Sequence, residues 1–211
     1  MFIFDINGTL TIHESLVSTT THNYMKEFLS EHPSIFITGV EYGQAYRKVG
    51  GLANLVDAMY CLSGNEKWVN GELEYKNHVL FDDEDIQTIR DFGVVVKYKH
   101  DTRLDINVEF KNTLQKFELC DKIEQTLPHL SACVATNSNT IAVHKADKDK
   151  RQILQYYQDA IYVTDTIDKY SYDYYMSQSV KTIKVNGPHD IENGILFTVC
   201  LLYTSPSPRD S

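Results

Sequence analysis

The sequence predicts an α/β fold, a doubly wound parallel-sheet core interrupted by an α+β insert, on three observations. Short β-branched and aromatic runs alternate with helical stretches at both ends of the chain, the pattern of parallel βαβ units. Between them the order changes to α-β-β-α-β-β, which suggests a two-layer unit whose antiparallel sheet is covered on one face. Asp5, Thr38 and Asp165 fall where strand runs end, and open α/β sheets build their sites at the carboxyl ends of their strands.

Taken in order, Phe2–Phe4 reads as a strand that delivers Asp5 to a glycine-bearing turn. Ser18 or Thr19 caps a helix to about Leu29, with Tyr24, Phe28 and Leu29 on one face. Ser34–Thr38 is the second strand, Glu41–Val49 the second helix and Ala58–Leu62 the third strand. Asn70-Gly71 lies between two alternating runs and predicts a hairpin, since both turn positions need positive φ. Asp82 or Asp83 starts a helix to about Phe92, followed by strands Val94–Tyr98 and Leu104–Phe110. Asn112 or Thr113 caps the next helix, which Pro128 stops, and strands Ser131–Thr136 and Thr140–His144 follow around an Asn137-Ser138-Asn139 turn. The alternation then resumes with helix Lys150–Tyr157, strand Ala160–Thr164, helix Tyr170–Ser177, strand Thr182–Val185 and the start of a helix after Pro188. The expected division is a core of residues 1–79 and 144–199 with an insert over 80–143.

Residues 200–211, Cys-Leu-Leu-Tyr-Thr-Ser-Pro-Ser-Pro-Arg-Asp-Ser, resemble the in-frame translation of a sequencing-library adapter. They are set aside as an artefactual tail, and the native protein is expected to be cut off at or just after Val199, with native C-terminal residues lost. The formal charge of −9, without a Lys/Arg cluster, argues against nucleic acid or an anionic membrane as partner. No run approaches the roughly 18 apolar residues of a membrane span, and no signal peptide is read before the first strand. Outside the tail, Cys61, Cys120 and Cys133 lack C-x-x-C spacing and predict buried thiols in a reducing, cytoplasmic setting. The eight histidines show no H-x-x-x-H spacing, against a zinc site.

Parallel strands bring Asp5, Thr38-Gly39, Lys150, Asp165 and Asp173 to one sheet edge. A carboxylate nucleophile, a hydroxyl donor, a fixed cation and further carboxylates are the parts that phosphoryl transfer to an Asp requires.

These stations resemble, in order, the four motifs of the haloacid dehalogenase (HAD) superfamily. Asp5-Ile6-Asn7-Gly8-Thr9-Leu10 resembles its D-x-D-G-T-L, with Asn7 at the second Asp. Thr38-Gly39 resembles the second motif, Asp149-Lys150-Arg151 the D-K-R of phosphomannomutases, and Asp173-Tyr174-Tyr175-Met176 the N-D-x-x-M of the fourth. Ser63-Gly64-Asn65 resembles the E-N-G before the hairpin in the large-cap branch, and the insert sits where that branch (Cof-type hydrolases, sugar-phosphate phosphatases, eukaryotic-type phosphomannomutases) carries its cap. The step from Asp165 to Asp173 matches phosphomannomutases better than most Cof-type enzymes.

The resemblance implies a HAD-like core with an α+β cap, and a Mg²⁺-dependent phosphohydrolase acting on a small phosphorylated metabolite, first of all a sugar phosphate, through an aspartyl-phosphate. Asp5 would be the nucleophile, and Thr38 and Lys150 would bind the phosphoryl group, with Lys148 the rival to Lys150. Asp5, Asp165, Asp173 and the Asn7 carbonyl would hold Mg²⁺; Gly8, Thr9 and Gly39 would line the substrate, and Arg103 on the insert would grip its distal phosphate or carboxylate. Asp168 is expected at the surface. Three departures stand out. Asn7 replaces the Asp that protonates the leaving group, help worth about 10²–10⁴-fold. Thr164 replaces the Gly before the fourth-motif Asp, and Thr166–Tyr172 replace the usual glycines. A phosphomannomutase-like mutase and a catalytically impaired phospho-ligand or protein-binding homologue are the alternatives.

Overall fold

Strands too short to pair alone assemble here because nearly every side chain on them is buried. In the computed structural model, which describes residues 1–12, 15–107, 113–134 and 140–196, β1 (Phe2–Asp5), β2 (Ser34–Ile37) and β3 (Ala58–Cys61) are buried throughout. The predicted Asn137-Ser138-Asn139 turn, the Asn112 cap, the far end of the Leu104–Phe110 strand and residues 200–211 lie outside the described residues.

Continuous burial is the signature of a sheet covered on both faces. Phe2, Phe4 and Phe36 pack with Met25 and Phe28 of α1 (Thr19–Glu31) and with Ala45 and Val49 of α2 (Tyr42–Val49). On the other face Ile3, Ile35, Ile37, Tyr60 and Tyr162 meet Ile153 and Met176. Three further groups of strands follow: the hairpin β4 (Glu66–Val69) and β5 (Glu72–Lys76), the run β6 (Val95–Lys99), β7 (Arg103–Asn107), β8 (Leu130–Val134) and β9 (Thr140–Lys145), and lastly β10 (Ile161–Thr164) and β11 (Lys181–Lys184). The larger sheet has the order β11-β10-β1-β2-β3-β4-β5, parallel from β11 to β3 and antiparallel beyond. The chain leaves β1 toward β2 and returns on the other side of β1 at β10, so a crevice opens at the carboxyl end of β1. The fold class expected from the sequence is the one observed.

The second sheet, β6-β7-β9-β8, is antiparallel. Its Leu104, Ile106, Ala132, Ile141 and Val143 bury against Ile86 and Ile89 of α3 (Asp83–Arg90) and Cys120 and Ile123 of α4 (Thr113–Thr126), while Val95 and Tyr98 are exposed. This is the two-layer arrangement read from α-β-β-α-β-β. Ser18 is the cap of α1, its hydroxyl accepting from Thr21 N–H at 3.0 Å. Asn70 and Gly71 have φ of 51° and 81° and turn β4 into β5. Cys61, Cys120 and Cys133 are buried free thiols.

Two helices differ from expectation. Lys150–Gln155 is a 3₁₀ helix rather than an α-helix to Tyr157, with Tyr156 N–H bonded to the Ile153 carbonyl. Its buried residues, Lys150 and Ile153, are three apart, and a three-residue period puts them on one line. The helix expected from Tyr170 begins as α5 (Tyr174–Ser179), because Tyr170 has φ 72° and cannot join a right-handed turn. The last helix, α6 (Pro188–Glu192), starts at Pro188 and packs through Ile191 on the α1 side of the sheet.

Candidate active site

β1 ends at Asp5, which is 3% exposed at the crevice. Lys150, carried by the 3₁₀ helix that fills the face opposite α1, donates from Nζ to Asp5 Oδ1 at 2.6 Å and also to Asp173 Oδ1. Asp173 stands just before α5 but does not cap it with its side chain. Its carboxylate instead accepts from Lys150, from the Tyr162 hydroxyl and, at 3.1 Å, from Thr164 Oγ1. Thr9 joins the neighbouring strands: Oγ1 donates to Asp165 Oδ1 at 3.2 Å, lies 3.5 Å from Asp5 Oδ2 and accepts from Asp165 N–H at 2.9 Å.

Burial pushes the Asp5 carboxyl up to about 7, with Lys150 pulling it down and the Asp173 charge pushing it higher. Burial and Asp173 raise Asp165 in the same direction. Burial works against the charge of Lys150, but Asp173 and Asp5 outweigh it and hold the ammonium above its usual range.

Asp5, Asp165 and Asp173 each offer a carboxylate oxygen, and the three lie within 4.8 Å of one another. Three hard oxygen donors suit Mg²⁺, and a divalent cation would offset the mutual repulsion of these carboxylates, which adds to the burial that raises Asp5. The approach demands glycine at position 8, where φ is 86° and a Cβ would stand 2.3 Å from Asp165 Oδ2. Gly8 N–H is bonded to the Thr11 carbonyl at 2.8 Å.

Asn7 forms the other wall. Its Nδ2 donates to Thr38 Oγ1 at 3.3 Å, and its Oδ1 accepts from Lys48 Nζ. Thr38, fully buried at the end of β2, also accepts from Val40 N–H at 3.4 Å. The Gly39 carbonyl accepts from Arg103 Nη1 at 3.4 Å, so a residue of β7 reaches the end of β2. Arg103 is held by Asp105 at 2.8 Å and lies 5.7 Å from the Tyr172 ring centroid. Lys148 is turned away and pairs with Asp147 at 3.4 Å, and Asp168 is exposed.

Asp5, Asn7, Thr9, Thr38, Lys150, Asp165 and Asp173 thus meet at one crevice, with Gly8 beneath Asp165 and Gly39 and Arg103 at its rim. Tyr162 and Lys48 also enter it and were not foreseen. In sequence Tyr162 is a strand tyrosine and Lys48 a basic residue in the last turn of a helix, ordinary for both types. Asn65, in the Ser63-Gly64-Asn65 stretch, donates to the Leu62 and Lys148 carbonyls at 2.8 and 3.0 Å and braces the approach to Lys150.

A parallel sheet whose strand order turns back at an acid-bearing strand, interrupted by a smaller α+β sheet, defines a capped α/β architecture. Comparison with solved structures finds the same fold in several HAD-superfamily phosphatases, at low sequence identity. The HAD subclass IIB sugar phosphatase BT4131 superposes with a TM-score of 0.67 at 12% identity, over 96% of this chain and 98% of that one. IMP-nucleotidase of Plasmodium falciparum, in its IMP-bound N-terminally truncated form, gives 0.66 at 13% identity over 91% of this chain; this chain spans only 66% of that truncated one. Trehalose-6-phosphate phosphatase of Aspergillus fumigatus gives 0.59 at 15% identity, over 97% and 92%. No family model matches the sequence, and no curated protein does. Among the described residues no helix is long and apolar enough to cross a membrane.

Proposed function

We propose that this chain is a Mg²⁺-dependent phosphohydrolase that removes phosphate from a small phosphorylated metabolite, a sugar phosphate, through an aspartyl-phosphate on Asp5. The observation that carries the reading is the buried Asp5 carboxylate held at 2.6 Å by Lys150, with Asp165 and Asp173 beside it. Solved neighbours described as a sugar phosphatase and a trehalose-6-phosphate phosphatase support the substrate class.

Asp5 attacks phosphorus while Lys150, kept charged by two carboxylates, orients the nucleophile and neutralises phosphoryl oxygens. The Thr38 hydroxyl donates to the same oxygens from the end of β2. Asp5, Asp165, Asp173 and the Asn7 carbonyl would hold Mg²⁺, which supplies positive charge between an anionic nucleophile and an anionic phosphoryl group. The α3–β9 unit acts as the cap: it excludes water from the crevice, and Arg103 presents its guanidinium to the distal end of the substrate.

The test is phosphate release, with Mg²⁺, from a panel of sugar phosphates and an aryl phosphate. Turnover is expected in the parent and only background in Asp5→Asn, which keeps the shape and removes the nucleophile. Turnover that survives in Asp5→Asn would overturn the reading.

A further inference from the structure

The small sheet has a second face, opposite its helices. Side chains alternate along a strand, so while Ala132 and Val143 enter the apolar layer, Ser131 and His144, paired across β8 and β9, take the other side. With Ser63, Lys150, Ser171 and Tyr172 they line a cavity of about 10 Å³, room for one oxygen-sized group. Ser63 ties the cavity to the end of β2. Its N–H donates to the Thr38 carbonyl at 2.9 Å, and its Oγ lies 3.8 Å from where a Cβ at Gly39 would stand.

Ser63 and His144 are 1% and 3% exposed. The Ser63 and Ser171 hydroxyls and both His144 ring nitrogens are buried without a hydrogen-bond partner among the described residues. Ser63 is also held at φ 60°, a left-handed conformation that is costly for serine. Protein interiors pair such groups, so four orphaned polar atoms around one cavity point to a ligand. Its chemistry follows from what the wall has already committed. Among the described residues lining the cavity, the charged side chains are Asp149 and Lys150. Arg151 grips both Asp149 carboxylate oxygens at 2.7 to 3.0 Å, and Lys150 is held by Asp5 and Asp173. Burial keeps His144 neutral, with one ring nitrogen a donor and the other an acceptor. These groups suit an uncharged hydroxyl and bring no spare charge for an anion.

Resting on the phosphohydrolase reading, we propose that this cavity is a subsite for one hydroxyl of the leaving group, and that Ser63, His144 and Ser171 select the phosphate ester of a neutral polyol. A leaving group without that hydroxyl would leave the same buried groups unpaired, which is how a site of this kind becomes selective.

The test measures kcat/KM with Mg²⁺ on glucose 6-phosphate, mannose 6-phosphate, fructose 6-phosphate and ribose 5-phosphate. Beside them stands p-nitrophenyl phosphate, whose leaving group carries no second hydroxyl. The readout is the ratio of the best sugar phosphate to the aryl phosphate, which a general loss of folded enzyme does not move. Ser63→Gly, which suits the left-handed turn and deletes the hydroxyl, and Ser171→Ala should each lower that ratio about 10–10²-fold. His144→Phe, which fills the space of the ring without its nitrogens, should lower it at least as far; if it does not fold, the serine variants carry the test. An unchanged ratio in either serine variant overturns the subsite and leaves the cavity to water. A parent that hydrolyses the aryl phosphate but no sugar phosphate also overturns it, with the phosphohydrolase reading intact. A parent that hydrolyses neither overturns the phosphohydrolase reading, and this inference with it.

Discussion

Thr164 shows what a single hydroxyl adds at the end of a strand. Where the resemblance leads one to expect glycine, its hydroxyl gives Asp173 a third donor, at 3.1 Å. His144 makes the opposite choice. It is 3% exposed, and neither ring nitrogen has a hydrogen-bond partner among the described residues. Burial lowers its pKa from 6.5 to about 3, helped by the charges of Arg103 and Lys150. The folded ring therefore stays neutral while the unfolded chain takes up a proton below pH 6.5. The stability this residue allows is full above 6.5 and is lost as pH falls toward 3, at about 1.4 kcal/mol per pH unit. Because the raised Asp5 carboxyl contributes with the opposite sign over much of this range, the test is the difference between two proteins. Urea unfolding at a series of pH values should give His144→Phe a pH slope lower than the parent's by about that amount, and an identical slope in the two would rule His144 out as a contributor. The acids and Lys150 were legible because strand ends and short motifs announce them. Lys48 and Tyr162 were not, since their contacts span 41 and 11 residues and follow from packing alone.

Among the elements, the locally encoded features match the sequence reading. The Ser18 cap and the Asn70-Gly71 turn depend on neighbours within a few positions. Gly71, at φ 81°, makes the turn a quantitative case: Gly71→Ala should destabilise the protein by about 1 kcal/mol, read as a lower urea midpoint at unchanged slope. No shift in midpoint would mean that the hairpin turn tolerates rearrangement. The elements that were misread are those set by tertiary demands. Lys150–Gln155 winds tightly so that Lys150 faces Asp5 while Ile153 enters the core below Ile3 and Tyr162. α5 waits until Tyr174 because the chain first passes Tyr170 in a left-handed conformation, where it accepts the Val134 N–H from β8 at 2.8 Å.

Across the whole molecule, residues far apart in sequence converge because β1 lies between β10 and β2. The same convergence brings three carboxylates within 4.8 Å of one another, and the proposed Mg²⁺ site makes a prediction about stability. Millimolar Mg²⁺ should raise the melting temperature, by the linkage that gives about 2.7 kcal/mol at a hundredfold excess over Kd. Asp173→Asn should abolish that rise, and a rise of equal size in the variant would place the ion elsewhere. The bond from Arg103 to Gly39 has a consequence of another kind. Its acceptor is a main-chain carbonyl, which no substitution at position 39 deletes. Its donor is a side chain, so a substitution at position 103 removes this bond between the small sheet and the crevice directly. A lineage drifting toward a new substrate would therefore be expected to record the change there, while position 39 drifts without touching this bond.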